Sequence, residues 1–233
     1  MINPKLKNYN IGHRQRIIGK LKHNGYEQFE DYEIVELMLF LIFKRKDTKP
    51  MAKMLLERFK TIENILNANN EELMKIHGIG QSTCNALKII NSITKYLLKS
   101  RVINHNVISC FNDVINYLQA NMKDLTNEEI RLLLINNKNI IIDDILIQKG
   151  STDHVEVYPK EILKHCISKC AKSIILIHNH PSGDPTPSTN DIYITNKIQE
   201  ATNVFNITLF DHIIIGGNKY ISFRTLNLLN NNP

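Results

Sequence analysis

The sequence has no apolar run of the ~18 residues that a helix needs to cross a bilayer. Its first ten residues, MINPKLKNYN, are polar and lack the apolar stretch of a secretory signal peptide. Its 4 cysteines form no Cys-x-x-Cys pair. These absences argue against a membrane protein and against a disulfide-rich secreted domain, and they predict a cytoplasmic protein with reduced thiols.

Two of the cysteines, Cys166 and Cys170, are four residues apart in a helical pattern and should lie on one helix face. Such a pair could bind a metal ion. We expect ordinary buried thiols instead, because free cysteine is among the most buried residue types.

Arginine is scarce, with 7 residues among the 29 basic ones, as an AT-rich genome would produce. The basic excess is also uneven: residues 1–100 carry a net charge of +7, whereas residues 101–233 carry −1. Any contact with DNA is therefore expected within residues 1–100. With 233 residues, the chain is long enough for one large domain or two smaller ones.

The first hundred residues show helical patterns. Tyr32–Phe43 is apolar nearly all round and predicts a buried helix, with Asp31 as its N-cap. Asp47–Pro50 marks the next helix start. The glycines Gly78 and Gly80 then form a tight turn into a long amphipathic segment, Gln81–Leu98.

That turn, Ile76-His77-Gly78-Ile79-Gly80, resembles the helix-hairpin-helix motif. In that family the two glycines let the backbone approach a phosphate, and the next helix offers free N–H groups to it. The resemblance implies DNA contacts at Gly78 and Gly80. A purely structural turn between two helices fits the same residues.

Residues 99–112 look like a linker, and the chain then alternates between strand and helix patterns. An Asn-rich turn joins the first two strands as a hairpin. Asp211-His212 falls between two short strands, where it could support a metal ligand or serve as a structural pair. The predicted strands are Ile130–Ile135, Ile140–Ile147, Ser173–Ile177, Ile207–Phe210, Ile213–Ile215 and Tyr220–Phe223, the helices are Val114–Ala120, Pro159–Cys170 and Ser188–Val204, and Gly150–Tyr158 is extended.

The most specific pattern is a pair of histidines, His178 and His180, at the end of an apolar run. At spacing i, i+2 their side chains point the same way if the run is a strand. Asp191 follows a Pro/Gly-rich loop at the start of a helical pattern. Two imidazoles and one carboxylate leave the fourth position of a tetrahedral zinc ion open, which is typical of catalytic zinc sites.

The spacing of His178, His180, Ser188 and Asp191, with Pro181, matches the JAMM (MPN+) metalloprotease motif. The longer string IHNHPSGDPTPSTNDI and the later LFDHIIIG resemble the bacterial RadC family specifically. The opening GHRQR and the string RKDTKP resemble that family's N-terminal region. The resemblance thus covers almost the whole chain.

The resemblance implies that His178, His180 and Asp191 bind one zinc ion per chain, which activates a water molecule. A glutamate upstream would accept the proton; the family pattern favours Glu128 over its neighbour Glu129. Ser188 would help to stabilise an oxyanion, and it also fits the N-cap of a helix. The same capping pattern competes with the ligand role for Asp191.

The predicted fold is α/β: a helical domain with the hairpin over residues 1–100, a linker over 101–109, and a mixed α/β JAMM/MPN-like (deaminase-like) domain over 110–233. The predicted function is zinc-dependent hydrolysis of a peptide or isopeptide bond in a protein substrate. Two alternatives stay open: a DNA-repair accessory protein with a non-catalytic zinc site, and a zinc hydrolase that acts on nucleic acid.

Overall fold

A computed structural model describes residues 9–150 and 158–229 of the chain. The segment Gly150–Tyr158, predicted to be extended, lies almost entirely outside these described residues. Contacts between Cα atoms divide the chain into two units, Met1–Thr94 and Lys95–Pro233. No helix within the described ranges is both long enough and apolar enough to span a bilayer.

The first unit is helical, as its sequence predicts, with apolar side chains that share one core. Its helices are α1 (Tyr9–Asn24), α2 (Asp31–Phe40), α3 (Lys49–Phe59), α4 (Ile62–Asn67), α5 (Asn70–Met74) and α6 (Gln81–Ser100), the last of which runs past the boundary between the units. The core contains Val35 and Leu39 of α2, Leu55 of α3, and Cys84 and Leu87 of α6, all with no exposed surface.

Helix α2 begins one residue earlier than the sequence predicts. Its N-cap is Glu30, whereas Asp31 is the first helical residue, so the prediction of Asp31 as the cap is wrong. The carboxylate of Glu33 accepts a hydrogen bond from the Glu30 backbone N–H at 3.1 Å. This hydrogen bond of the capping box satisfies the Glu30 backbone N–H and marks Glu30 as the residue before the helix.

The second unit contains a five-stranded mixed sheet. Its elements in chain order are α7 (Phe111–Met122), β1 (Glu129–Ile135), β2 (Ile141–Lys149), α8 (Pro159–Ser168), β3 (Ser173–Asn179), α9 (Thr189–Asn203), β4 (Thr208–Gly216) and β5 (Lys219–Ser222). The sheet order is β2-β1-β3-β4-β5, in which only β3 and β4 are parallel. The predicted mixed α/β class is confirmed.

Strand alternation gives the sheet two apolar faces. On one face, Leu133 and Ile177 pack with α7. On the other, Leu132 and Leu176 pack with α8 and α9. Helices on both faces bury the central strands fully, which explains why β1 and β3 have near-continuous apolar sequences.

Two local predictions about β4 and α8 are wrong. Asp211-His212 does not separate two strands, because β4 continues through both residues. Its pairing with β3 shifts between Ile174 and Ile175, which pair with Leu209 and Asp211, so β4 has one extra residue just before the polar pair. Helix α8 ends at Ser168, so Cys170 lies beyond it with a φ of 52° and is exposed rather than buried.

The predicted domain boundaries stay a prediction, although the structure bears on the proposed linker. Val102 and Val107, from the segment 101–109, have no exposed surface and belong to the core of the second unit. The Val107 backbone N–H also donates to the Asn139 carbonyl at 2.8 Å. This segment is therefore packed and hydrogen-bonded like the rest of the unit.

Candidate metal centre

The end of β3 and the start of α9 bring the three predicted ligands together. Nε2 of His178 lies 2.9 Å from Nε2 of His180 and 3.2 Å from Oδ1 of Asp191. Nε2 of His180 lies 3.6 Å from Oδ2 of Asp191. Each of these three residues offers one potential ligand atom, and the three atoms all lie within 4.8 Å of one another.

These separations fit a small tetrahedral cation. Zinc bonds to nitrogen and oxygen of about 2.0–2.2 Å place neighbouring ligand atoms about 3.3–3.6 Å apart in a tetrahedron. The observed distances are 2.9 Å between the two nitrogens, 3.2 Å from His178 to Oδ1 and 3.6 Å from His180 to Oδ2, all near that range. The residues present therefore suit a zinc-like ion held by two nitrogens and one carboxylate.

His180 has a defined orientation because of the loop that follows it. Its Nδ1 lies 2.8 Å from the backbone carbonyl oxygen of Asp184. A carbonyl can only accept, so Nδ1 donates its hydrogen, and a neutral His180 leaves the Nε2 lone pair facing the cluster. The tautomer is thus the one that a metal ligand requires.

Gly216 allows the loop to approach β4. A Cβ atom at Gly216 would lie 2.5 Å from the backbone nitrogen of Pro185 and 2.8 Å from the carbonyl carbon of Asp184. Only glycine permits this packing without movement of the loop backbone. The contact fixes the carbonyl group that orients His180.

Asp191 both faces the histidines and closes the N-terminus of α9. Its Oδ2 accepts hydrogen bonds from the Ser188 backbone N–H at 2.7 Å and the Ser188 hydroxyl at 2.6 Å. The Ser188 hydroxyl in turn accepts from the Asp191 N–H at 3.1 Å. Oδ2 therefore serves the cap while it lies 3.6 Å from Nε2 of His180, and Oδ1 faces His178. The cap and the contacts with the histidines occur together, and the ligand role of Asp191 stays a prediction.

The contacts among the three clustered residues shift the pKa values of Asp191 and His180. Burial alone would raise the pKa of Asp191, but the contacts of its carboxylate with the rings of His178 and His180 outweigh burial, so the pKa falls well below its ordinary value. The neighbouring Asp191 carboxylate favours a protonated His180 and raises its pKa, although burial opposes this shift. The carboxylate stays ionised and attracts positive charge.

Glu128 and Glu129 point to opposite faces of the sheet. Ile130 pairs with His178 across β1 and β3, so alternation puts Glu128 on the His178 face. Glu128 lines the same cavity as the cluster. Glu129 is buried on the other face, where its carboxylate lies 3.1 Å from Nζ of Lys149.

Asn179, between the two histidines, holds the backbone on both sides of Glu128. Its amide oxygen accepts from the Glu129 N–H at 2.8 Å, and its amide nitrogen donates to the Asn127 carbonyl at 3.1 Å. Only 1% of Asn179 is exposed. Sequence reasoning missed this role; its position opposite β1 in an antiparallel pair could have indicated it.

The cluster lies in a cavity of about 580 Å³. Glu128, Ser188 and the three clustered residues line it, together with apolar side chains that include Ile194. Among the described residues that line the cavity, none is lysine or arginine. The described lining combines carboxylates and histidines with apolar surface, and it offers no lysine or arginine to a phosphate.

His212 contacts the cluster, whereas Asp211 does not. Nε2 of His212 lies 2.8 Å from Nδ1 of His178. Asp211 instead accepts hydrogen bonds from the Ser222 hydroxyl at 2.6 Å and the Arg224 N–H at 2.9 Å. His212 therefore contacts a predicted metal ligand, whereas Asp211 makes structural hydrogen bonds.

The glycines Gly78 and Gly80 lie in the first unit, in a turn before α6. Gly78 has a φ of 88°, which requires glycine, and the Ile79 N–H donates to the Ile76 carbonyl at 3.0 Å. A Cβ atom at Gly78 would lie 2.5 Å from Nζ of Lys46, whereas a Cβ at Gly80 would meet no atom within 4 Å. The turn therefore exposes a glycine backbone beside an ammonium group.

Comparison with known protein families agrees with this geometry. A family model described as a RadC-like JAB domain matches residues 108–228, and one described as a helix-hairpin-helix motif matches residues 49–104. The family resemblance drawn from the sequence motifs is thereby confirmed. Since the first match alone spans more than half of the 233 residues, the chain belongs to the RadC family, with a helix-hairpin-helix motif ahead of its JAB domain.

Proposed function

We propose that this protein is a zinc-dependent hydrolase that cleaves a peptide or isopeptide bond. The observation that carries the proposal is the cluster of three ligand atoms, two imidazole nitrogens and one carboxylate oxygen, open to a cavity of about 580 Å³. In this proposal His178, His180 and Asp191 hold the ion. Zinc bound there supplies a Lewis acid that lowers the pKa of water and polarises a carbonyl group.

Glu128 is the proton acceptor in this proposal. It lies on the His178 face of the sheet and lines the cavity, so it can take a proton from water as the water oxygen bonds to the scissile carbonyl carbon. It then delivers that proton to the departing amine nitrogen as the C–N bond breaks. Glu129 cannot share this task, because its carboxylate is on the opposite face.

Ser188 must change its hydrogen bonding to take part in the proposed reaction. Its hydroxyl donates to Oδ2 of Asp191 at 2.6 Å. To stabilise an oxyanion, this hydroxyl must turn its hydrogen away from Asp191 and toward the substrate. The Ser188 backbone N–H can hold Oδ2 during that rotation, because it already donates to it at 2.7 Å.

The charges around the cavity favour an amide over a phosphodiester. Substrates with phosphate groups are usually held by lysine, arginine or backbone N–H groups. The described residues that line this cavity include Glu128 and Asp191 and no basic side chain other than histidine. A neutral amide, with a lysine-derived or peptide amine as leaving group, suits that environment.

Metal analysis of the purified full-length protein tests the metal site. We expect about one zinc per chain, and its loss in a His178→Ala/His180→Ala double variant. His105→Ala/His165→Ala is a matched control, since both residues lie outside the cluster. A native protein that takes up no zinc, even when zinc is supplied, contradicts the proposal.

Substrate capture tests the reaction. Glu128→Gln keeps the zinc ligands and removes the proton acceptor, so the variant should retain a bound protein substrate that the wild type releases cleaved. Glu129→Gln should behave like the wild type. Equal cleavage by wild type and Glu128→Gln would exclude Glu128 as the acceptor.

We also infer that the first unit binds DNA. The helix-hairpin-helix match over residues 49–104 and the exposed glycine backbone beside Lys46 support this second function. Lys46→Ala should weaken binding of duplex DNA and reduce its salt dependence by about one unit of slope. Lys164→Ala, in the second unit, should change neither; equal effects of the two substitutions would refute the assignment.

A further inference from the structure

A buried chain of hydrogen bonds runs from His178 to helix α9. Nδ1 of His178 lies 2.8 Å from Nε2 of His212, and Nδ1 of His212 lies 2.7 Å from the Thr195 hydroxyl oxygen. The Thr195 hydroxyl donates to the backbone carbonyl oxygen of Asp191. His212 is 1% exposed and Thr195 has no exposed surface, so water cannot substitute for any member.

The direction of every hydrogen bond in this chain follows from its last acceptor. The Asp191 carbonyl has no hydrogen, so the single hydroxyl hydrogen of Thr195 points to it. Thr195 must then accept from Nδ1–H of His212, which leaves Nε2 of a neutral His212 without hydrogen. That nitrogen can only accept, so Nδ1 of His178 carries the hydrogen between the two rings.

The position of this hydrogen determines which nitrogen of His178 can bind a metal ion. With its hydrogen on Nδ1, a neutral His178 presents the lone pair of Nε2 toward His180 and Asp191. We propose that Thr195 and His212 are positioning residues that fix His178 in the tautomer that binds a metal ion. This proposal rests on the proposed metal site, to which it adds two residues that do not touch the ion.

Other contacts hold the His212 ring in place for this task. The Phe223 ring lies against it, with centroids 4.5 Å apart and an interplanar angle of 32°. The Phe223 N–H also donates to the His212 carbonyl at 2.9 Å. In this position Nδ1 of the ring faces Thr195 and Nε2 faces His178, so the hydrogen bond to Thr195 selects the tautomer of His212.

Thr195→Val removes the hydroxyl at nearly constant shape. His212 can then carry its hydrogen on Nε2 and donate to His178, which places the hydrogen of His178 on Nε2, inside the cluster. We expect zinc affinity of the full-length protein to fall about 10–100-fold, as is usual when the support of a metal ligand is lost. Competition against a chromophoric zinc chelator measures it.

Two variants serve as controls. Thr195→Ser keeps the hydroxyl and should restore the affinity of the wild type. Thr202→Val removes a hydroxyl that is equally buried in α9 but donates to the Gln199 carbonyl, and it should leave zinc affinity unchanged. A Thr195→Val protein that binds zinc as tightly as the wild type overturns the proposal.

Nitrogen-15 NMR of histidine-labelled wild type at alkaline pH gives a second readout that needs no variant. The expected spectrum has His212 protonated on Nδ1 and bare on Nε2. A hydrogen on Nε2 of His212 contradicts the proposal even if zinc binds. A wild type that binds no zinc but shows this His212 tautomer contradicts the proposed function and leaves the hydrogen-bond chain supported.

Discussion

The amide oxygen of Asn179 accepts a hydrogen bond from the backbone N–H of Glu129 at 2.8 Å. The amide nitrogen of the same side chain donates to the carbonyl of Asn127 at 3.1 Å. The two bonds hold the chain immediately before and after Glu128. Asn179, between the two histidines at the end of β3, therefore positions the proposed proton acceptor at the start of the neighbouring strand β1.

Asn179→Asp should impair hydrolysis without removing zinc. The substitution retains an acceptor for the Glu129 N–H but places a carboxylate oxygen opposite the Asn127 carbonyl, with a cost of about 1–3 kcal/mol for the unsatisfied group. We expect the rate of substrate cleavage to fall at least about 10-fold, because a small displacement of a catalytic group is costly.

Asn121→Asp is the matched control, since Asn121 makes a similar donor contact to the Tyr117 carbonyl at 2.7 Å. It should keep full activity. Zinc content, measured in parallel, should equal that of the wild type in both variants. Loss of zinc in Asn179→Asp would show that Asn179 supports the histidines rather than Glu128.

Ser188→Ala should lower both stability and zinc affinity. The variant loses the N-cap of α9, at a cost of about 0.5–2 kcal/mol, and frees Oδ2 of Asp191 from one of its hydrogen bonds. Urea unfolding and zinc competition measure the two effects. Thr61→Ala removes the N-cap of α4 and should lower stability alone; a similar loss of zinc affinity there would contradict the specific role of Ser188.

Gly216→Ala should disturb His180 through the loop. Its Cβ atom would lie 2.5 Å from the Pro185 nitrogen, so the backbone must move, at a cost of about 1–3 kcal/mol. The Asp184 carbonyl moves with it, and zinc affinity should fall. Gly19→Ala, inside α1 with no atom within 4 Å of the added Cβ, should bind zinc normally.

Removal of zinc should lower the thermal midpoint of the wild type. A ligand that binds only the folded state stabilises it by about 2.7 kcal/mol at a free concentration of 100 times its Kd. Calorimetry with and without a strong chelator checks this. The His178→Ala/His180→Ala variant should show the same midpoint in both conditions; an equal shift in this variant would point to a different zinc site.

Gly78→Ala and Gly80→Ala separate the two explanations of the hairpin. Gly78→Ala should destabilise the protein by about 1–2 kcal/mol, because its φ of 88° is unfavourable for alanine. Gly80→Ala should leave stability nearly unchanged, since its Cβ meets no atom within 4 Å. If the backbone contacts phosphate, Gly80→Ala still weakens DNA binding; unchanged binding would identify a purely structural turn.

The sequence predicted the ligand cluster because its geometry is mostly local. His178 and His180 are two residues apart at a strand end, and Asp191 lies in the first turn of the next helix after a short loop. Strand alternation and a capping pattern are enough to infer such an arrangement. At Asp191 the capping hydrogen bonds and the contacts with the histidines occur together because a carboxylate has two oxygens, and the ligand role stays a prediction.

Sequence patterns did not predict the contacts between distant segments. Thr195 lies one helical turn after Asp191, so its hydrogen bond to the Asp191 carbonyl is a local helical contact. Its other partner, His212, comes from strand β4. The choice between Glu128 and Glu129 likewise depends on which residue of β1 faces His178. Pairing register is a property of two strands and cannot be deduced from one.

The amino-acid sequence by itself determined the two-part architecture, the apolar strands and the residue types of the proposed metal centre, since periodicity and spacing act over a few residues. The tertiary structure decided which nitrogen of His178 faces the cluster, which glutamate lines the cavity and what Asn179 holds. Those outcomes depend on directed hydrogen bonds between segments tens of residues apart, and they exist only once the sheet has assembled in one register.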